Sequence, residues 1–509
     1  MHKRSLISII LFIFIGAGCV RSAPGSPEWK PEGNLISPTN QSTGRITATP
    51  SFHLLPTRLP GSPILTPTPD NPHTQPTLRS EPEQYTVLYG DTLGEIARRY
   101  SVNIEVLMKT NKLTDPNNLS VGQTLVIPLQ ESQGRGSSFK IIPDSEEVYG
   151  PLSFTLDLTN FIQKYGGFLA TYQQEIEGVN LSGAQIIILI SQNYSVNPRL
   201  LLALLEYRSG WLTKSQPEDG NLDYPLHFQD NWYVGLYRQL AWTAVNLNTG
   251  YYLWKANGLN NVVFTDGNSI QLSSEINPGT AAVQYLFSKL DTREEWNKDI
   301  SPEGFYAEYM NLFGYPFDYA IEPLLPADLI QPELILPFEK GQVWSFTGGP
   351  HGGWDAGSAW AALDFAPPGE AQGCVPSNAW VTAVADGLIL RAANGAVIQD
   401  LDGDGLEQTG WVILYMHIGS NERVVSGTYL KVGERIGHPS CEGGESTGTH
   451  VHLARRFNGE WISADGSTPF NLGGWISSGS GVEYDGLLTR DGQVVEAFNG
   501  NSPINQIGR

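Results

Sequence analysis

The stretch Ser446-Thr-Gly-Thr-His450-Val-His452-Leu453 places two histidines two positions apart, with apolar residues after each of them. In a β-strand, residues i and i+2 project to the same side. Two imidazoles that face one way, while apolar side chains face the other, are costly unless they serve a site. The stretch therefore predicts a strand that presents a pair of functional histidines on one face of a sheet.

Three further residues near the C-terminus extend this pattern. His351 lies in the glycine-rich segment Gly348-Gly-Pro-His-Gly-Gly353, Asp364 lies in a short apolar strand over 362–366, and His417 ends a buried strand over 410–418. Two histidines and one carboxylate are a common ligand set for catalytic zinc, which keeps its fourth position for water. The residues therefore indicate a catalytic metal site.

These motifs resemble those of the lysostaphin and β-lytic metalloendopeptidases over roughly residues 341–475. The long spacing between His351 and Asp364 favours the β-lytic branch. The resemblance implies one Zn²⁺ per chain, bound by His351, Asp364 and His452. Zinc lowers the pKa of a bound water towards ~7 and polarises the scissile carbonyl. By the same resemblance, His417 and His450 flank the water and the carbonyl, one passing the proton and the other stabilising the oxyanion.

Residues 84–129 carry a second set of motifs, whose pattern predicts a strand, two helices and a strand (βααβ). Tyr85-Thr-Val, Gly90-Asp-Thr-Leu and the closing Gly122-Gln-x-Leu-x-Ile-Pro closely resemble a LysM module. The resemblance implies binding to the N-acetylglucosamine backbone of peptidoglycan or chitin. It places five residues along the sugar groove, although each could equally serve only to stabilise a turn: Gly90, Asp91, Thr92, Asn111 and Leu113.

The N-terminus has the pattern of an export signal. Basic residues precede an apolar run, Leu6 to Ile15, that is too short to span a bilayer but fits a signal-peptide core. The following Gly16-Ala-Gly-Cys19 resembles a bacterial lipobox, which implies a lipoprotein signal peptide over residues 1–19 and a mature chain whose first residue is a lipidated Cys19. The alternative is ordinary cleavage after Ala23 and free secretion. Residues 20–83 are rich in Pro, Ser and Thr and predict a disordered tether.

Between the two motif regions, we predict a linker over 130–145 and a mainly helical domain over 146–335. The segment 196–211, with Glu206, looks faintly like the catalytic helix of lysozyme-like lytic transglycosylases, in which a glutamate protonates the glycosidic oxygen. Two alternatives remain open for this domain: a glycan-holding module, and a helical spacer whose aromatic residues only pack its core.

Composition indicates which binding partners the protein can have and in which compartment it folds. The formal net charge of −21 argues against nucleic acid and against electrostatic docking on an anionic membrane. Export would place Cys374 and Cys441 where disulfides persist, so they either pair or remain buried thiols. The segment 400–405, with Asp400, Asp402 and Asp404, resembles the start of a calcium loop, but it also fits a polar hairpin tip.

We therefore expect a multidomain α+β protein, with a LysM module, a helical domain, a mainly antiparallel β metallopeptidase domain over 336–485 and a C-terminal tail over 486–509. The expected function is peptidoglycan endopeptidase activity on stem or cross-bridge peptides, in the cell envelope. One alternative is a non-catalytic envelope scaffold or hydrolase activator. The other is a glycan-cleaving enzyme that uses Glu206.

Overall fold

The computed structural model describes residues 81–88, 91–100, 102, 104–129, 134–218, 220–369 and 373–509. It contains helices and antiparallel sheets in the predicted order, which confirms the multidomain α+β class. Cys19, most of the predicted tether and Gly90 lie outside the described residues. Within the described part of the chain, every helix is too short or too polar to cross a membrane.

The LysM region has the predicted βααβ order. The two strands pair antiparallel, with Tyr85 opposite Leu125. Leu93 and Leu107 project from the two helices into a small core that Leu125 completes from the sheet. The elements are β1 (Glu83–Thr86), α1 (Leu93–Arg99), α2 (Ile104–Asn111) and β2 (Thr124–Ile127).

The middle region is built from helices whose ends follow from local sequence signals. Ser182 and Gln185 form a reciprocal capping box at the start of α4. Asn197 caps α5 with Pro198 at its first position, and Gly210, at φ +68°, ends it. The elements are α3 (Leu158–Tyr165), β3 (Gln173–Ile176), β4 (Val179–Ser182), α4 (Gly183–Tyr194), α5 (Pro198–Ser209), α6 (Leu236–Lys255), β5 (Asn261–Val263), β6 (Ser269–Gln271), α7 (Pro278–Leu290), α8 (Arg293–Asp299) and α9 (Phe305–Phe313).

The predicted linker over 130–145 is wrong for its described part. Ile141 and Ile142 are fully buried in the helical core, and Ile141 N–H donates to Thr280 Oγ1 at 2.8 Å. Arg135 forms a parallel bridge with Gln271. The pair of isoleucines is too short to show a helical or strand period, so the sequence pattern did not reveal that this segment packs.

The C-terminal region is an antiparallel β structure. Its main sheet has the strand order β13-β10-β11-β12-β15-β8-β7-β21, so β15 lies near the middle with β12 and β8 on its two sides. The strands are β7 (Val343–His351), β8 (Ala362–Ala366), β9 (Val381–Thr382), β10 (Gly387–Ala393), β11 (Ala396–Asp400), β12 (Trp411–Met416), β13 (Tyr429–Leu430), β14 (Arg435–Gly437), β15 (Val451–Phe457), β16 (Glu460–Trp461), β17 (Asn471–Leu472), β18 (Trp475–Gly479), β19 (Gly486–Arg490), β20 (Gln493–Glu496) and β21 (Gln506–Gly508).

The segment 486–509 is not a tail. Strands β19 and β20 extend a second sheet that begins with β17 and β18. The last strand, β21, pairs with β7, with Ile507 opposite Trp344, and Ile507 is buried in the peptidase-region core. Strand β21 has only three residues, and its partner β7 lies far away in the sequence, so no local pattern revealed it.

The helical region packs on one face of the main sheet. One hydrophobic cluster joins helices α4 to α7 to three residues of the sheet, Ala362, Leu414 and Ala454. Their neighbours along the strands point to the other side of the sheet, into the core of the peptidase region. His452 is two residues from Ala454 on β15 and therefore projects from this same face. The predicted metal ligands thus lie at the border between the two regions.

Candidate metal centre

The cluster starts from the register of two neighbouring strands. Asp364 on β8 and His452 on β15 are directly opposite each other in the antiparallel ladder. Apolar Leu363 and Leu453 point to the other core, so the alternation of each strand places the carboxylate and the imidazole on the face shared with the helical region.

His351 reaches the same place because β7 is irregular. Its register with β8 shifts twice, between Phe346 and Gly348 and between Gly348 and His351. A Cβ at Gly348 would lie 2.6 Å from Asp364 Oδ2, so only glycine lets the two strands approach this closely. The glycine-rich segment is thus a bulged strand end that delivers the third side chain.

Three ligand-type atoms converge. His351 Nε2 lies 2.9 Å from His452 Nδ1 and 3.2 Å from Asp364 Oδ1, and His452 Nδ1 lies 3.3 Å from the same oxygen. The other nitrogen of each ring is engaged with a backbone carbonyl: His351 Nδ1 with Gly349 O at 2.7 Å, and His452 Nε2 with Gly353 O at 3.1 Å. These carbonyls accept the ring protons and leave both inner nitrogens as lone-pair donors.

His417 and His450 lie beside the three converging side chains. His417 follows β12 with a left-handed φ of +64°, and its Nδ1 is 3.1 Å from Glu442 O. His450 directly precedes β15, its Nδ1 is 2.7 Å from Gly448 O, and its Nε2 is 3.7 Å from Asp364 Oδ1. The two ring centroids are 4.4 Å apart. The structure therefore brings together all five residues predicted for the site.

Burial and mutual charge set the protonation of the cluster. Burial raises the pKa of Asp364, but the neighbouring His351 and His450 outweigh it and hold that pKa well below its usual range. Burial lowers the pKa of His351, yet Asp364 produces a net rise. Burial lowers the pKa of His452, and burial together with His450 lowers that of His417 well below its usual value.

The donor set fits a divalent transition metal. Asp364 Oδ1 is buried and accepts no hydrogen bond from any described residue. It faces two nitrogen lone pairs within 3.3 Å, an arrangement that repels itself unless a cation lies between the atoms. Two imidazoles and one carboxylate match the composition of catalytic zinc sites. In such sites, as here, a hydrogen bond from the outer ring nitrogen fixes the tautomer of each histidine.

Tyr484 is a neighbour of the cluster that the sequence reasoning missed. Its ring stacks on His351 with centroids 4.3 Å apart, and 51% of the residue is exposed. The connection between β18 and β19 carries it, and Gly349 N–H donates to Tyr484 O at 2.8 Å. A lone tyrosine in a polar loop gives no periodic signal, so only the tertiary structure identifies it.

The other predicted cysteine and acidic features have local explanations. Cys374 and Cys441 form a disulfide, and Ser446 Oγ, 3.4 Å from Cys441 Sγ, donates to Gly448 O beside His450. The carboxylates of Asp400, Asp402 and Asp404 approach within 4.8 Å, in the hairpin between β11 and β12. Backbone amides donate to both oxygens of Asp400, as in a polar hairpin tip, and burial raises its pKa to about 7.

Glu206 stabilises a loop. Its carboxylate accepts hydrogen bonds from the N–H groups of Leu212 and Thr213, at 2.8 and 3.2 Å, and from the Thr213 hydroxyl. These donors hold the loop that follows α5. The contacts do not favour the glycosidase alternative, because a carboxylate fixed by three donors is poorly placed to deliver a proton.

The residues predicted for the LysM sugar groove have structural contacts where they are described. Asp91 Oδ2 accepts from Tyr85 OH at 2.6 Å and from Leu88 N–H at 2.7 Å. Asn111 exchanges two hydrogen bonds with the backbone of Val126. Leu113 packs against the small core, Thr92 is partly buried, and Gly90 lies outside the described residues.

Comparison with known proteins places these features in context. Residues 140–326 match the LasA N-terminal domain model, and residues 85–128 match the LysM domain model. Protease LasA of Pseudomonas aeruginosa (strain UCBPP-PA14) is 24% identical over 301 residues, covering 54% of this chain and 66% of LasA. The β-lytic metalloendopeptidase of Achromobacter lyticus is 28% identical over 173 residues, covering 31% of this chain and 43% of that protein.

Among solved structures, the M23 metalloprotease pseudoalterin is 24% identical, with a TM-score of 0.28, over 36% of this chain and all of that one. The match to LasA spans just under two thirds of that relative, and the match to the β-lytic enzyme spans less than half of its length. Together, the motifs and matches confirm the resemblance: the chain carries a LysM module and is similar to LasA and to the β-lytic metalloendopeptidases. The β-lytic relative is named a metalloendopeptidase, and pseudoalterin is named a metalloprotease.

Proposed function

We propose that this protein is a zinc-dependent endopeptidase that hydrolyses stem or cross-bridge peptides of peptidoglycan. The observation that carries the proposal is the convergence of His351 Nε2, Asp364 Oδ1 and His452 Nδ1, with both outward-facing ring nitrogens engaged by carbonyls. These atoms would hold one Zn²⁺ per chain. When bound, zinc supplies a water of lowered pKa and polarises a carbonyl.

The two remaining histidines would then manage protons and charge. Burial favours the neutral form of His417, and a neutral imidazole accepts a proton and returns it to the leaving amine. His450 is the more exposed of the pair, with 16% of its side chain accessible, and its inner nitrogen faces Asp364. It would stabilise the oxyanion of the tetrahedral intermediate, or exchange this task with His417.

The LysM module would bring the enzyme to its substrate by gripping the N-acetylglucosamine backbone, through the groove near Asp91, Thr92 and Asn111. We further propose an extracytoplasmic location in the cell envelope, with a lipid on Cys19 as the membrane anchor. This arrangement combines a glycan-binding module with a peptide-cleaving centre. The net charge of −21 argues against nucleic acid as the binding partner.

Product analysis tests the proposal. Purified peptidoglycan is digested with the zinc-loaded full chain, and mass spectrometry compares the fragments with those from His452→Ala. New amino and carboxyl groups within the peptides are expected. New sugar ends would instead support the glycan-cleaving alternative. Intact wall, together with a protein that takes up no zinc, would support the non-catalytic scaffold.

A further inference from the structure

One cleft is lined by both the helical and the peptidase regions. The helical region contributes aromatic side chains, and the peptidase region contributes Asp355, four residues after the predicted ligand His351. Trp232 is 40% exposed at its rim. We call this feature the aromatic cleft; its principal lining residues are Tyr194, Trp232, Tyr233, Arg238, Trp242 and Asp355.

The loop that carries Asp355 is tightly held. Trp354 N–H donates to Ser358 Oγ at 2.9 Å, and Ser358 Oγ donates to Asp355 O at 3.0 Å. A Cβ on Gly357 would lie 2.2 Å from Val245 O, so the loop packs directly on helix α6. The carboxylate therefore has a fixed place in the wall of the cleft.

Asp355 shares the aromatic cleft with one cation, Arg238, but does not pair with it. Its oxygens accept from Ala356 N–H at 2.6 Å and from Tyr194 OH at 3.2 Å, and no ion pair among the described residues includes it. Burial raises its pKa. The rim cation Arg238 is engaged elsewhere, since its guanidinium lies 4.5 Å above the Trp232 ring and donates to Trp232 O at 2.7 Å.

A carboxylate that lies among aromatic side chains and forms no ion pair complements an organic cation. Aromatic rings attract ammonium groups through their negative faces, and a partly buried carboxylate gains most from a partner that neutralises it. A neutral sugar would stack on Trp232 and accept hydrogen bonds, but it would leave the charge of Asp355 in place. The electrostatics therefore favour an amine over a glycan.

We propose that the aromatic cleft binds a primary ammonium group on the peptide substrate, as a diamino acid side chain provides. This inference rests on the proposed function, because it names the feature of the wall peptide that the enzyme selects. The cleft and the metal centre share one loop: Gly353 O fixes the tautomer of His452, and Asp355 follows two residues later. Amine binding would thus position the peptide beside the reactive centre.

Binding is tested separately from hydrolysis. Calorimetry on the zinc-loaded full chain compares Nα-acetyl-lysine methylamide with the same compound acetylated also on Nε. We expect the free amine to bind at least about tenfold more tightly. Asp355→Asn and Trp232→Ala should each weaken this binding about tenfold or more, with unchanged zinc content. Asp386→Asn and Trp380→Ala, which change residues outside the cleft, serve as matched controls.

Equal affinity for the two probes, or unchanged affinity in Asp355→Asn, would overturn the proposal. Binding of N-acetylglucosamine oligomers that is lost in Trp232→Ala, without amine binding, would overturn it in favour of a sugar site. Because the probes contain no cross-bridge bond, these results do not depend on peptide cleavage. Failure of the proposed enzymatic function would appear only in the wall digest.

Discussion

Asp364 and His452 stand directly opposite each other on β8 and β15, with Oδ1 and Nδ1 3.3 Å apart. A single antiparallel register therefore fixes two of the three proposed ligands. A slip by one residue would turn one of them to the opposite core, so the packing of Leu363 and Leu453 protects the geometry of the site.

Removing the imidazole of His452 should abolish metal binding while the domain stays folded. His452→Ala deletes one of three proposed ligands, and its Cβ remains on a well-paired strand. Loss of a residue that only hydrogen-bonds to a ligand typically lowers metal affinity about 10–100-fold. We expect a larger loss of zinc affinity here, because a ligand itself is removed. Zinc content after dialysis and circular dichroism measure the two effects. Retention of stoichiometric zinc by a folded variant would refute this ligand assignment.

Gly348→Ala should disrupt the same centre without touching a ligand. The new Cβ would lie 2.6 Å from Asp364 Oδ2, which is closer than real contacts of a Cβ atom, so the carboxylate must move. We expect at least a tenfold loss of zinc affinity. Gly258→Ala is the matched control, because its Cβ would make only ordinary contacts of 3.5 Å. Equal zinc affinity in the two variants would contradict the close approach described here.

His450→Ala should separate chemistry from metal binding. His450 Nε2 is 3.7 Å from Asp364 Oδ1, outside the three converging atoms, so zinc should remain bound. Loss of a proton-transfer or oxyanion group typically reduces kcat by ~10²–10⁴-fold. Steady-state hydrolysis of a cross-bridge peptide, alongside zinc content, provides the measurement. A variant that loses its zinc would show instead that His450 is a ligand.

Strand alternation explains why much of the site was predictable. The spacing of His450 and His452 and the apolar neighbours of Asp364 encode their orientation locally, and the family motifs supplied the rest. Tyr484 and Asp355 carry no such signal, because their importance arises from loops that meet only in the tertiary structure. The same limitation applies to β21, whose partner β7 is more than a hundred residues away.

A buried glutamate predicts how stability changes with pH. Glu147 is fully buried, and neither of its carboxylate oxygens accepts a hydrogen bond from a described residue. Burial, with the charges of Asp144 and Glu460, raises its pKa well above the usual value, against the opposing effect of Lys255. Lys255 already pairs with Glu460, which belongs to β16 of the peptidase region.

The direction in which stability changes with pH depends on whether the folded or the unfolded chain binds more protons. Above the ordinary pKa of about 4.3, the unfolded chain has released this proton while the folded chain still holds it, so folded-state stability falls as pH rises. The decrease is at most about 1.4 kcal/mol per pH unit and ends at the raised pKa. Glu147→Gln removes this decrease. The variant should therefore gain stability relative to the wild type between about pH 4.3 and neutrality.

Thermal unfolding of both proteins, metal-free and over this pH range, measures the difference, and titration of the shared histidines cancels in the comparison. Glu303→Gln, which removes the charge of an exposed glutamate, is the matched control. A pH-independent difference between Glu147→Gln and the wild type would show that the Glu147 carboxylate titrates normally. Burial and the nearby charges of Asp144 and Glu460 would then impose no cost on the ionisation of Glu147, and the proposed rise of its pKa would be wrong.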